Sequence, residues 1–150
     1  MKSARSRPKR PPNPNFSPIS ASGFFEQALQ IAIPARNLDC RVYYTAPKFK
    51  NGTVMICHHG AGYSGLSFAC FAKEVTDLTK GECGALSLDA RRHGTQNKDH
   101  SMCISDPFQG RTTSTDGENG DLSIDILVAD FCAVLETIFP DPPSAPTFLV

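Results

Sequence analysis

Two short segments hold the residues whose types and spacing could do chemistry: His58-His59-Gly60-Ala61-Gly62-Tyr63-Ser64-Gly65 and Asp89-Ala90-Arg91-Arg92-His93-Gly94. Each follows a short apolar run, Thr53 to Cys57 and Ala85 to Leu88. Runs of that kind suit strands buried on both faces, as in a parallel sheet. Two chemistries compete for the glycine turn. Gly60, Gly62 and Gly65 spell G-x-G-x-x-G between a strand and a helix, and Asp89 ends the next strand 24 residues after Gly65. That arrangement could cradle a pyrophosphate on backbone amides, with the carboxylate taking a ribose hydroxyl. Against it, two probable strands precede the turn, whereas the fingerprint sits on the first strand of its unit, and His58 and His59 interrupt the apolar run. The second chemistry is acyl transfer. Small residues at His59-Gly60-Ala61-Gly62 let the backbone approach a carbonyl, with the Ala61 N–H as donor to the developing oxyanion.

The elements that must position these segments can be read from the pattern around them. Phe24 to Ile33 and Leu38 to Tyr44 alternate as two strands, with Pro34 to Asn37 as the turn of an antiparallel pair. Asn51-Gly52 is a turn before the strand at Thr53 to Cys57. Phe68, Phe71 or Ala72, Val75 and Leu78 recur at helical spacing, with Ser64 and Ser67 as start caps and Gly81 as the stop. A second helix, capped by Asp121 or Ser123, presents Leu127, Phe131, Val134 and Ile138, and ends at Pro140, Pro142 and Pro143. Thr147 to Val150 begins a further apolar run. The polar stretch from Thr95 to Gly120, which includes His100, is expected to be a mobile insertion with a solvated histidine. Strands and helices alternate over the last five elements, which means an α/β fold with a mainly parallel sheet. Such sheets bind ligands beyond the carboxyl ends of their strands, and both segments fall there.

Composition narrows the function classes. The 150 residues carry 15 basic and 15 acidic side chains, but five of the cations lie in residues 1–10 and the first acid is Glu26. Residues 11–150 are thus mildly acidic, which argues against nucleic-acid binding by the folded part. No apolar run is long enough to span a membrane, and no apolar signal region opens the chain. Residues 1–22 read as a basic, proline-rich, disordered tail, and residues 23–150 as one domain; the basic cluster is a candidate nuclear address or docking patch on a cytoplasmic protein. The six cysteines lie 13 to 29 residues apart with no Cys-x-x-Cys pair, which favours neither zinc nor a disulfide framework. They read as free thiols of a reducing compartment, with Cys57, Cys70 and Cys132 as small buried hydrophobes. No metal and no cofactor is expected.

The motifs carry a resemblance. In α/β-hydrolases the loop after the third strand has an His-Gly-x-x segment that supplies one oxyanion N–H. Thr53 to Phe68 resembles the protein phosphatase methylesterase family, with its apolar strand, His-Gly-Gly-Gly and Ser-x-Leu-Ser-Trp/Phe. Leu88 to Gly94 is similar to the family's Leu-Asp-x-Arg-x-His-Gly, and Asp121-Leu122-Ser123 to its Asp-Leu-Ser helix start. The resemblance covers roughly residues 41–150 outside the polar stretch. The chain departs from it at Ala61, where the family has the middle glycine, and at Tyr63, where the family has His.

The resemblance implies the N-terminal part of an α/β-hydrolase fold, truncated after about the fifth strand. It also implies a serine esterase that removes the methyl ester from the C-terminal leucine of the type 2A protein phosphatase catalytic subunit. His59, Gly60, Ala61 and Gly62 would be the oxyanion loop, and Asp89, Arg91 and His93 the bracing of the rim. The nucleophile of that fold stands in a Gly-x-Ser-x-Gly elbow after the fifth strand, followed by the acid and then the base. No Gly-x-Ser-x-Gly occurs in the 150 residues, so the whole triad is expected beyond Val150 and the chain alone is expected to be inactive. The expected last strand would then offer a bare sheet edge and an uncovered apolar face. Another esterase or lipase-like hydrolase, a dinucleotide-binding βαβ domain and a non-catalytic phosphatase-binding fragment are the alternatives.

Overall fold

A computed structural model describes residues 20–93, 112–114, 122–141 and 146–150. Strand β1 (Gln27–Ile33) pairs antiparallel with β2 (Leu38–Thr45), Ile33 opposite Leu38 and Gln27 opposite Tyr44. The connection is a single 3₁₀ turn, Pro34–Arg36, closed by Asn37 at φ 48° and ψ 38°. Proline presets the turn, and Asn tolerates the left-handed region better than most side chains. The strand begins three residues later than the alternation from Phe24 suggested. A 3₁₀ turn at Ala21–Gly23, started by Ser20, instead folds Phe25 under the sheet, where its ring lies 5.6 Å from that of Tyr43. Ala21 is fully buried, so the folded part begins inside the segment read as tail; residues 1–19 lie outside the described residues.

The glycine turn links β3 (Thr53–His58) to a 3₁₀ turn (Gly65–Phe68) and helix α1 (Ala69–Leu78), which crosses to β4 (Cys83–Leu88). Strands β3 and β4 are parallel, in register from Thr53 opposite Cys83 to His58 opposite Leu88. Helix α2 (Ile124–Ile138) then carries the chain across to β6 (Thr147–Leu149), parallel to β3 on its other side. The sheet order is β1-β2-β4-β3-β6, mixed because β2 runs antiparallel to β1 and β4. The architecture is α/β, as the alternation of elements required. No described helix is long and apolar enough to cross a membrane.

The two helices cover opposite faces, and alternation along the strands sorts the core accordingly. Val42, Ile56, Leu86 and Leu88 pack with Val134 of α2, and Leu127, Phe131 and Ile138 are partly buried on that helix, as its stripe indicated. Tyr43 and Ala85 pack with Leu66, Ala69 and Ala72 on the α1 side. Small residues on both partners bring α1 close to the sheet. It therefore lies on Ala69 and on Ala72, the smaller of the two alternatives in the stripe, with Phe68 and Val75 half-buried and Phe71 and Leu78 exposed. Cys70 and Cys132 are also exposed, contrary to their apolar sequence neighbourhoods; they sit on the outer sides of the two helices, whereas Cys57 is buried in β3. The α1 stop falls where expected: Gly81, at φ +83°, donates its N–H to Thr76 O at 2.8 Å. Ser64 and Ser67 form the capping box ahead of α1, and Ser123 is the N-cap residue of α2. Asp121, His100 and most of the polar stretch lie outside the described residues. Thr112–Ser114 departs from a structureless insertion: Thr113–Ser114 forms strand β5 against Leu38 and Asp39 of β2.

Candidate functional site

The loops after β3 and β4 meet at the carboxyl ends of these strands, and buried polar groups fasten one to the other. His59 is 4% exposed and uses both ring nitrogens. Its Nδ1 lies 2.8 Å from Gly60 O, and its Nε2 accepts the Ala90 N–H at 2.9 Å. An acceptor at Nε2 and a carbonyl at Nδ1 require the neutral tautomer with the proton on Nδ1. His93 makes the mirror arrangement. Its Nδ1 lies 2.8 Å from Arg91 O and its Nε2 accepts the Gly62 N–H at 3.4 Å.

Asp89 is fully buried, and its carboxylate faces inward. Oδ1 accepts the Gly65 N–H at 2.6 Å and Oδ2 the Tyr43 hydroxyl at 3.3 Å. Burial raises its carboxyl above the ordinary carboxylate range, against the opposing pull of the Gly65 N–H. Gly65 can approach this closely because it has no side chain: a Cβ there would stand 3.0 Å from Leu88 O and from Ser87 Oγ. The Ser87 hydroxyl meanwhile contacts Cys57 O at 3.1 Å and Gly65 O at 3.0 Å. Asp89 is thus spent on the turn's own backbone and turned away from solvent, which removes the carboxylate that a ribose would need. The dinucleotide reading fails on that point.

Arg91 leaves the same loop for α2. Its guanidinium grips Asp130 through Nε at 2.7 Å and a terminal nitrogen at 2.9 Å, and also donates to Arg36 O at 2.9 Å. Arg36, from the β1–β2 turn, adds a third bond to Asp130 at 2.9 Å. Thr112 closes the back of the loop, donating to Asp89 O at 2.6 Å and accepting from Arg41 N at 2.9 Å. Asp130 and Thr112 were missed from sequence. Asp130 had a signal, because a carboxylate within the apolar stripe of a helix needs a buried partner. Thr112 had none, being one threonine in a stretch rich in polar residues.

The turn itself is open to solvent. Tyr63 N–H closes it onto Gly60 O at 3.2 Å, and Gly62 sits at φ +81°, where glycine is favoured. Ala61 is not among the positive-φ residues, so alanine fits the family's middle position without strain. A Cβ at Gly60 would meet nothing within 4 Å. The fold therefore does not demand glycine at 60, and its absence of a side chain keeps the crest clear. Among the described residues the Ala61 N–H has no intramolecular acceptor. His58 lies beside this turn, its ring 5.6 Å from that of His59 and 6.0 Å from that of Phe131. Burial lowers its pKa, and the neighbouring imidazoles of His59 and His93 add to that. Among the described residues no group of three or more His, Cys, Asp or Glu could hold a metal.

A single arrangement thus joins every residue singled out as oxyanion loop or rim: His59, Gly60, Ala61, Gly62, Asp89, Arg91 and His93. It offers the Ala61 amide, without an acceptor among the described residues, on a sterically open turn.

No family model matches the chain. Curated relatives do. Protein phosphatase methylesterase 1 of Cryptococcus neoformans is 33% identical over 173 aligned positions, covering 100% of this chain and 37% of the relative. The protein of that name from Emericella nidulans is 36% identical over 126 positions, covering 79% of this chain and 28% of the relative. That from Saccharomyces cerevisiae is 46% identical over 77 positions, covering 48% of this chain and 19% of the relative. Over its whole length the chain is thus homologous to proteins named protein phosphatase methylesterase 1, and it spans little more than a third of the length of the first of these relatives.

Proposed function

We propose that this chain is the oxyanion-bearing part of a serine methylesterase of the α/β-hydrolase type, and that its substrate is the C-terminal leucine methyl ester of a type 2A protein phosphatase catalytic subunit. The observation that carries the proposal is the Ala61 N–H, unengaged among the described residues on a turn that leaves its approach clear. The antiparallel pair leading into a parallel sheet also suits that fold. In this reading the ester carbonyl oxygen lodges against the Ala61 amide. A serine hydroxyl attacks the carbonyl carbon, methanol leaves, and water then frees the leucine carboxylate. This reading takes the seryl nucleophile, acid and base from outside these 150 residues, and it expects no turnover by the 150 residues alone. A cytoplasmic setting, with the basic cluster serving nuclear entry, is part of the proposal.

The test is methanol release from a C-terminally methylated phosphatase catalytic subunit. The full-length protein is expected to release it, and this 150-residue chain to release none above background. Failure of the full-length protein on that substrate, with hydrolysis of unrelated esters, would leave a general esterase in its place; no hydrolysis of any ester would overturn the enzyme reading.

A further inference from the structure

We infer that His59 is the positioning residue for the oxyanion amide, aiming and polarising the Ala61 N–H through the peptide group it shares with Gly60. The inference rests on the esterase reading and deepens it. A trans peptide is planar, with its C=O and N–H pointing in opposite directions. The peptide between residues 60 and 61 presents the Gly60 carbonyl on one side and the Ala61 N–H on the other. The carbonyl is held by the His59 Nδ1–H at 2.8 Å and by the Tyr63 N–H at 3.2 Å. Fixing that oxygen fixes the direction of the N–H. Two donors on the carbonyl also draw electron density away from the nitrogen, so the amide becomes a stronger donor, as in any chain of hydrogen bonds. The other face of the imidazole accepts the Ala90 N–H at 2.9 Å, which sets the tautomer and ties the ring to the loop after β4. A buried histidine here is more specific than a staple between loops: its proton sits on the one nitrogen that can reach the oxyanion peptide.

Two isosteric replacements separate the roles. The Asn amide nitrogen takes the place of Nδ1, so His59→Asn keeps a donor to Gly60 O and loses the acceptor for Ala90. The Gln amide oxygen takes the place of Nε2, so His59→Gln keeps the acceptor and loses the donor. In the full-length protein, His59→Gln is expected to lower kcat about tenfold or more with KM within about twofold, a part of the 10²- to 10³-fold loss typical of removing an oxyanion donor. His59→Asn is expected to lose several-fold less. The amide proton of Ala61, followed by ¹⁵N-alanine labelling of the same proteins, is expected to move upfield in the Gln variant and to stay near its place in the Asn variant. If kcat falls more in Asn than in Gln, or the Ala61 resonance ignores the Gln substitution, His59 is a loop staple and the inference is wrong. If the unsubstituted protein hydrolyses no ester, the esterase reading falls and the Ala61 resonance alone decides whether His59 aims that amide.

Discussion

His59 and His93 clasp each other's loops: each imidazole accepts at Nε2 a backbone N–H from the loop that carries the other, and each spends Nδ1 on a carbonyl of its own loop. Their ring centroids are 5.0 Å apart. The clasp brings two separately folded turns into one crest at the end of adjacent parallel strands. On that crest Ala61 is exposed, and its N–H has no acceptor among the described residues.

Gly60 and Gly62 should behave differently under substitution. Gly62→Ala forces a side chain to φ +81° and is expected to cost about 1 kcal/mol in urea unfolding. Gly60→Ala meets nothing in the fold and is expected to stay within about 0.5 kcal/mol, yet to slow ester hydrolysis by the full-length protein by crowding the crest. Equal destabilisation by both would contradict the account of the turn.

Asp130 holds two guanidiniums, one of them almost fully buried. Asp130→Asn is expected to cost about 3 kcal/mol because it leaves the buried Arg91 guanidinium without its compensating carboxylate charge. Pairing Asp130→Leu with Arg91→Met should recover most of that loss, since a packed apolar pair replaces the buried charges. Urea unfolding of the two variants checks this; a double variant no more stable than Asp130→Asn would count against it.

Burial raises the Asp89 carboxyl above its ordinary value. The native state therefore holds that proton more tightly than the unfolded chain does. Its contribution to stability is complete below the unfolded carboxylate value, about 4, and is lost as pH rises through the raised native value. Asp89→Asn keeps an oxygen for the Gly65 N–H and has no proton to lose. The stability of Asp89→Asn relative to the parent should therefore improve as pH climbs from 3 to 7. A flat difference would mean the carboxyl is not raised.

Thiol labelling should sort the cysteines by their surroundings. Burial pushes the Cys40 thiol up to about 12, so it should stay unlabelled at pH 8 until the protein unfolds. Cys70 and Cys132, exposed on the helices, should label at once. Rapid labelling of Cys40 in folded protein would show that the β2 core is open.

Much of the architecture was legible because it follows from alternation and punctuation. The apolar runs ending at His58 and Asp89, the glycine turn between the first of them and a helix, and the stop at Gly81 each have a local cause. The α1 face was legible only in part: Ala72 was one of two alternatives, and Ala69 was missed, because a hydrophobic stripe weighs residue size, which close packing of small residues on Ala85 reverses. The crest's glycine turn and rim histidine were legible as types. Their clasp was not, because hydrogen bonds between loops 31 residues apart leave no mark in local pattern. Thr112 shows the limit most plainly: a fully buried residue within a stretch that composition alone reads as solvent-facing.

The central claim is that the Ala61 N–H stabilises charge on an acyl oxygen. The direct test is Ala61→Pro in the full-length protein, which deletes that donor at a residue outside the positive-φ region. With folding verified by an unchanged urea midpoint, kcat for release of methanol from the methylated phosphatase should fall 10²- to 10³-fold, roughly the value of one oxyanion donor. A folded Ala61→Pro protein that demethylates at the parental rate would contradict it.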